Sequence, residues 1–113
     1  MDKSEIKINL KNWNIEEMTG YKPHTTFYTD FSIADKFGID AIKDTYKRAF
    51  DEWHTNTEYI TELVMVLNWK ISEHYQHNDE LANLYNDLFY ELDEWCINNL
   101  KGDDLKYYYQ TTD

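Results

Sequence analysis

A chain of 113 residues with 22 Asp and Glu against 11 Lys and Arg carries a formal net charge of −11 at pH 7. That balance argues against direct nucleic-acid binding, because affinity for a phosphate backbone comes from lysine and arginine displacing counterions. The length leaves no room for a second ordinary core, and 42% hydrophobic with 29% charged residues is the composition of a folded chain, expected as one domain over 1–113.

In chain order, Ile6, Ile8 and Leu10 alternate with Lys7 and Asn9, the period of a short strand. Asn14 and Glu17 match the opening of one helical turn that Gly20 ends. Residues 32–37 read as a short helix stopped by Gly38. Over 40–54, Ile42, Tyr46, Ala49, Phe50 and Trp53 fall on one helical face behind a capping Asp40. Thr55 and Glu58 form a T-x-x-E capping box for a second helix, with Ile60, Leu63, Val64, Leu67, Ile71 and Tyr75 on one side. The run Val64, Met65, Val66 widens that side, so this helix is expected to be the most buried.

Asn78 and Asp79 make a tight connection to a third long helix, where Leu81, Leu84, Tyr85, Leu88, Leu92, Trp95 and Cys96 recur at three and four up to Leu100. Gly102 serves as its stop signal, and 104–109 form a last short helix that docks its tyrosines. The sequence therefore predicts a mainly α protein. Its architecture is a compact bundle of three long helices with short accessory helices and a short N-terminal strand. With 4 Trp, 10 Tyr and 5 Phe against two valines, aromatic rings must fill much of the core.

The charge is lopsided. Residues 1–56 hold ten acids and eight bases, whereas 57–113 hold twelve acids and three bases. Within 71–100 there are seven acids and no Lys or Arg. At 100° per residue from Leu81, Glu80, Asp87, Glu91 and Glu94 point between about 220° and 280°, away from the apolar stripe. They form a carboxylate ridge, with Glu73, Asp79 and Asp93 expected to widen it. Asp87 and Glu91 are about 6 Å apart along the axis, a spacing comparable with neighbouring phosphates. Two exposed carboxylates at that distance repel by about 0.7 kcal/mol in water. Such a ridge can imitate DNA or RNA and occupy a basic channel on another protein. The plainer alternative is a solvated face, or lysines of the first half folded against it.

Other constellations are weaker. Asp51 with His54, and His74 with His77, stand at i, i+3, and His77, Asp79 and Glu80 gather at one helix end. Only a fragment of a Glu-x-x-His di-iron pattern is present, so no metal is assigned. Cys96 lies on an apolar stripe and reads as a small core residue, and a single cysteine suits a reducing compartment. Glycine-rich phosphate loops, a nucleophile elbow and CxxC pairs are missing, so neither catalysis nor a cofactor is expected. Tyr107, Tyr108 and Tyr109, with Trp13, Tyr21, Phe27 and Tyr28, would anchor a protein partner or a homodimer if exposed and are core if packed. The longest apolar run is five residues, 63–67, so no membrane span is expected; with a polar N-terminus and no secretory signal, the expected location is the cytoplasm.

The segment 12–38, NWNIEEMTGYKPHTTFYTDFSIADKFG, with ELVMVLNWKI at 62–71 and NLKGDDLKYYYQTTD at the end, resembles a group of small hypothetical proteins from phages and conjugative elements of Gram-positive bacteria. Such proteins include inhibitors of host defence, among them anti-CRISPR and anti-restriction proteins, several of which are acidic nucleic-acid mimics. The resemblance implies a non-enzymatic inhibitor acting in the bacterial host, with a basic nucleic-acid-binding defence protein as its partner. It assigns no residue. The alternative is an interaction or scaffolding module that uses exposed aromatics.

Overall fold

The structure, a computed structural model, describes residues 22–112. The expected strand at 6–10 and the turn at 14–20 lie outside these residues. The described chain is mainly α, with five helices: α1 (Phe27–Asp35), α2 (Ile39–Trp53), α3 (Thr57–His74), α4 (Asp79–Asn99) and α5 (Asp103–Thr112). Among the described residues none of them is long and apolar enough to cross a membrane.

Local chemistry explains most of the boundaries. The α3 cap is Asn56, whose side chain accepts the Tyr59 N–H at 3.0 Å, so the expected box on Thr55 lies one residue early. Asn78 caps α4 in the same way, accepting from Leu81 N at 3.1 Å. Asp40 is not a cap. It sits in the first turn of α2, where a carboxylate favours the helix dipole, and Gly38 at φ 107 makes the turn from α1. Gly102, at φ 58, does not close α4 but opens α5, its carbonyl accepting from Lys106 N at 3.1 Å.

The first described helix starts earlier than periodicity suggests, because its entry is held from a distance. Glu62, 1% exposed on α3, accepts the backbone N–H groups of His24 at 2.7 Å and Thr25 at 2.9 Å, and the Thr25 hydroxyl as well. A buried carboxylate is thereby satisfied by groups some 37 positions earlier in the chain. Glu62→Gln, which removes the charge and turns an N–H₂ toward these donors, is expected to cost about 1.5–3 kcal/mol in urea unfolding. A loss too small to detect would show that this contact does not hold the entry to α1.

Packing follows burial. The α3–α4 hairpin is the main contact, joined by a four-residue connection, 75–78, in which Gln76 takes φ 69. As expected, α3 is the most buried helix, with Ile60, Leu63, Val64, Val66 and Leu67 all inside. The three long helices do not share contacts evenly, since α2 leans more on α1 than on α3 or α4. The pair α1–α2 lies against the hairpin on one side and α5 closes it on another, and one buried cluster draws on all five helices. Rings contribute as anticipated, with Phe31 and Tyr85 meeting edge to face at 5.7 Å.

Candidate functional site

The outer face of α4 carries the ridge. Leu81, Tyr85, Leu88, Leu92 and Cys96 face the core, which turns Glu80, Asp87, Glu91 and Glu94 outward, and all four are exposed. Among the described residues none of them forms an ion pair. Asp79 is also exposed, in the first turn beside Glu80, where the helix dipole favours both. Glu91 has a neutral neighbour: burial first, then the charge and hydrogen bonding of Glu91, raise the Tyr46 phenol above its ordinary value. Lys47 borders the same small cleft with Phe50 and Trp95, without an ion pair to Glu91. One member of the ridge thus helps fasten α2 to α4.

Two of the seven expected ridge residues point elsewhere. Asp93 lies about 100° or more round the helix from the other acids. It is half-buried and accepts a hydrogen bond from the Tyr108 hydroxyl of α5. Glu73 belongs to α3 and turns inward to the Lys70 ammonium, so it does not widen the ridge.

Around Lys70 the chain builds a polar cluster that sequence reasoning missed. Lys70 is 0% exposed, and its Nζ lies 2.7 Å from Asp35 Oδ2, against Glu73 Oε2, and 3.1 Å from Ser32 Oγ. The ring of Tyr28 faces the ammonium at 4.9 Å. The Tyr28 hydroxyl donates to Glu73 and the Tyr85 hydroxyl to Asp35, while His74 Nε2 stands 2.8 Å from Asp35 Oδ2 and its ring stacks on Tyr85. Burial alone would raise Asp35. Hydrogen bonds from His74, Lys70 and Tyr85 outweigh it and hold the carboxyl below its ordinary 3.8. Tyr28 and Tyr85 are pushed up, by burial and then by the carboxylates they bond.

Asp35, Glu73 and His74 place ligand-type atoms within 4.8 Å of one another, the set that a divalent cation uses. Lys70 already supplies positive charge against both carboxylates, so the arrangement works as an internal clamp joining α1, α3 and α4. A signal existed in the sequence: Lys70 continues the buried row Ile60, Leu63, Leu67 at helical spacing, and a lysine there needs a partner.

The remaining candidates divide between core and surface. His54 stacks on Phe50 at 5.1 Å and its Nδ1 lies 3.0 Å from the Phe50 carbonyl, and His77 is exposed in the connection after α3. Tyr108 and Phe27 are buried, Tyr28 and Tyr107 half-buried, and Tyr109 is 44% exposed. Trp13 and Tyr21 lie outside the described residues.

Cys96 is 0% exposed, and burial with the nearby Asp93 carboxylate pushes its thiol up to about 12. Because the folded value stands above the ordinary 9.0, this group's contribution to stability is intact below that pH and is lost as pH rises toward about 12. Iodoacetamide at pH 8 is expected to modify the folded chain roughly a hundredfold more slowly than the urea-unfolded chain. Equal rates would place the thiol at the surface.

These features define a small, mainly α, strongly acidic protein with a carboxylate face that makes no ion pair among the described residues and a buried polar cluster about Lys70. No family model, curated protein or solved structure matches the chain.

Proposed function

We propose that the protein is a non-enzymatic inhibitor whose α4 ridge takes the place of nucleic acid in the basic channel of a defence nuclease, a CRISPR effector or a restriction enzyme. The supporting observation is that Glu80, Asp87, Glu91 and Glu94 remain exposed and without ion pairs among the described residues, despite their mutual repulsion. A row of fixed charges, of which Asp87 and Glu91 stand at a phosphate-like spacing, would release counterions from a basic groove much as DNA does. The net charge of −11 steers such an encounter. On this reading the partner is a basic nucleic-acid-binding defence protein and the site of action is the cytoplasm of the bacterial host.

The test is competition. Purified CRISPR and restriction nucleases, each holding a fluorescent duplex or guide, are titrated with the protein, and displacement of the label is followed. Displacement from at least one of them is the expected result. Failure against every member of a broad panel contradicts the reading.

A further inference from the structure

A groove of about 790 Å³ opens to solvent between α1 and α2, on a part of the molecule that the ridge does not use. Its floor is apolar, made by Phe27, Ala34, Ala49 and Trp53. At its lip stand Ile33 and Phe37, 51% and 78% exposed. Phe37 lies just past Lys36, the C-cap of α1, and precedes the Gly38 turn, so it projects from a junction that the backbone fixes. A phenylalanine left in water forfeits the transfer free energy that buries its counterparts Phe27 and Phe31.

Acids flank this apolar floor. Asp30, Asp44 and Glu52 line the groove, and its one arginine, Arg48, is tied to Asp44 at 3.0 Å, leaving a net negative margin. Along α2, Ala41, Thr45 and Ala49 repeat at four residues, a row of small side chains of the kind into which the ridge of another helix packs. From Ala41 to Trp53 the furrow runs about 18 Å at 1.5 Å per residue, the length of three helical turns.

We propose that this groove seats one amphipathic helix of another protein, with an aliphatic or aromatic face on the floor and lysine or arginine flanks toward Asp30 and Glu52. Charge complementarity selects a basic helix, and Phe37 and Trp53 bracket the apolar anchors it would present at i, i+3, i+4 and i+7. The proposal is independent of the ridge, which faces solvent from α4.

The full-length chain is titrated with a fluorescein-labelled peptide of 18 residues, designed with leucines on one face and lysines on the other, and with a twin carrying glutamates for lysines. Anisotropy is expected to show one-to-one binding of the lysine peptide alone. Phe37→Ser, at a position too exposed to disturb folding, should weaken it at least tenfold, whereas neutralising Glu80, Asp87, Glu91 and Glu94 should leave it unchanged. Equal binding of the two peptides, no binding of either, or insensitivity to Phe37→Ser overturns the proposal. So does loss of binding in the ridge variant. Two further results also overturn it: a sedimenting dimer that Phe37→Ser dissolves, or a cross-link from benzoylphenylalanine at position 37 into residues 1–21 of its own chain.

Discussion

Lys70→Met is expected to lower the free energy of unfolding by about 3–5 kcal/mol at neutral pH, a large part of the roughly 5–15 kcal/mol that holds a domain of this size. Methionine keeps most of the side-chain volume, so the loss reports charge and not a cavity. Without the ammonium, Asp35 and Glu73, both 14% exposed, keep among the described residues the tyrosine hydroxyls and His74 to compensate them.

The pH dependence of the two proteins should differ in sign. In the wild type Asp35 is held below its ordinary 3.8, so its contribution is present above that value and is lost as pH falls through the lower folded one. In Lys70→Met, Asp35 loses one of the groups that hold it low, so the penalty of its less compensated charge shrinks as pH falls and the carboxyl takes up a proton. Adding Asp35→Asn and Glu73→Gln to Lys70→Met should recover most of the loss. Urea unfolding at pH 7 and pH 4.5 measures the wild type and both variants. A single-variant loss below about 1 kcal/mol, the scale of a surface pair, would show that the cluster does not clamp the helices.

The second large effect concerns binding. Converting Glu80, Glu91 and Glu94 to Gln and Asp87 to Asn removes four charges without touching the core face of α4. Far-ultraviolet circular dichroism should stay the same, and the melting temperature should hold or rise as like-charge repulsion of about 0.7 kcal/mol per adjacent pair is relieved. Loss of the Glu91 carboxylate beside Tyr46 offsets a little of that gain. Displacement of duplex from a sensitive nuclease should fall on the order of a hundredfold or more, since each charge lost is one fewer counterion-releasing contact. Glu73→Gln and Asp93→Asn, by contrast, should act on stability and not on displacement, because both residues are bonded within the fold.

How much of this was legible in the sequence follows the range of the interactions. Helices α2, α3 and α4 are written in local periodicity, and their ends came within a residue or two because Asn56 and Asn78 cap by contacts three residues away. The start of α1 was not readable, since the carboxylate that accepts from its entry, Glu62, is supplied from far along the chain. The same holds for the clamp: a helical wheel shows Lys70 on the buried row of α3, but nothing local says that Asp35 will meet it. The ridge was legible as an outward face of α4. Counting charge along the sequence, however, drew in Glu73 and Asp93: Glu73 is turned to structural use by its i, i+3 neighbour Lys70 and by Tyr28 of α1, and Asp93 by Tyr108 of α5. The α1–α2 groove depends on two helices meeting and has no sequence signature of its own.

The proposed mimicry is tested most directly by the salt dependence of displacement. With a nuclease that the protein competes for, the logarithm of the inhibitor's affinity is measured against the logarithm of salt concentration between 50 and 200 mM, for the wild type and the four-charge variant. Four ridge contacts correspond to a slope of about −3 to −4, roughly a 150-fold loss over that range, and the variant should lie near zero. A wild-type slope near zero, or equal slopes for the two proteins, would contradict the account.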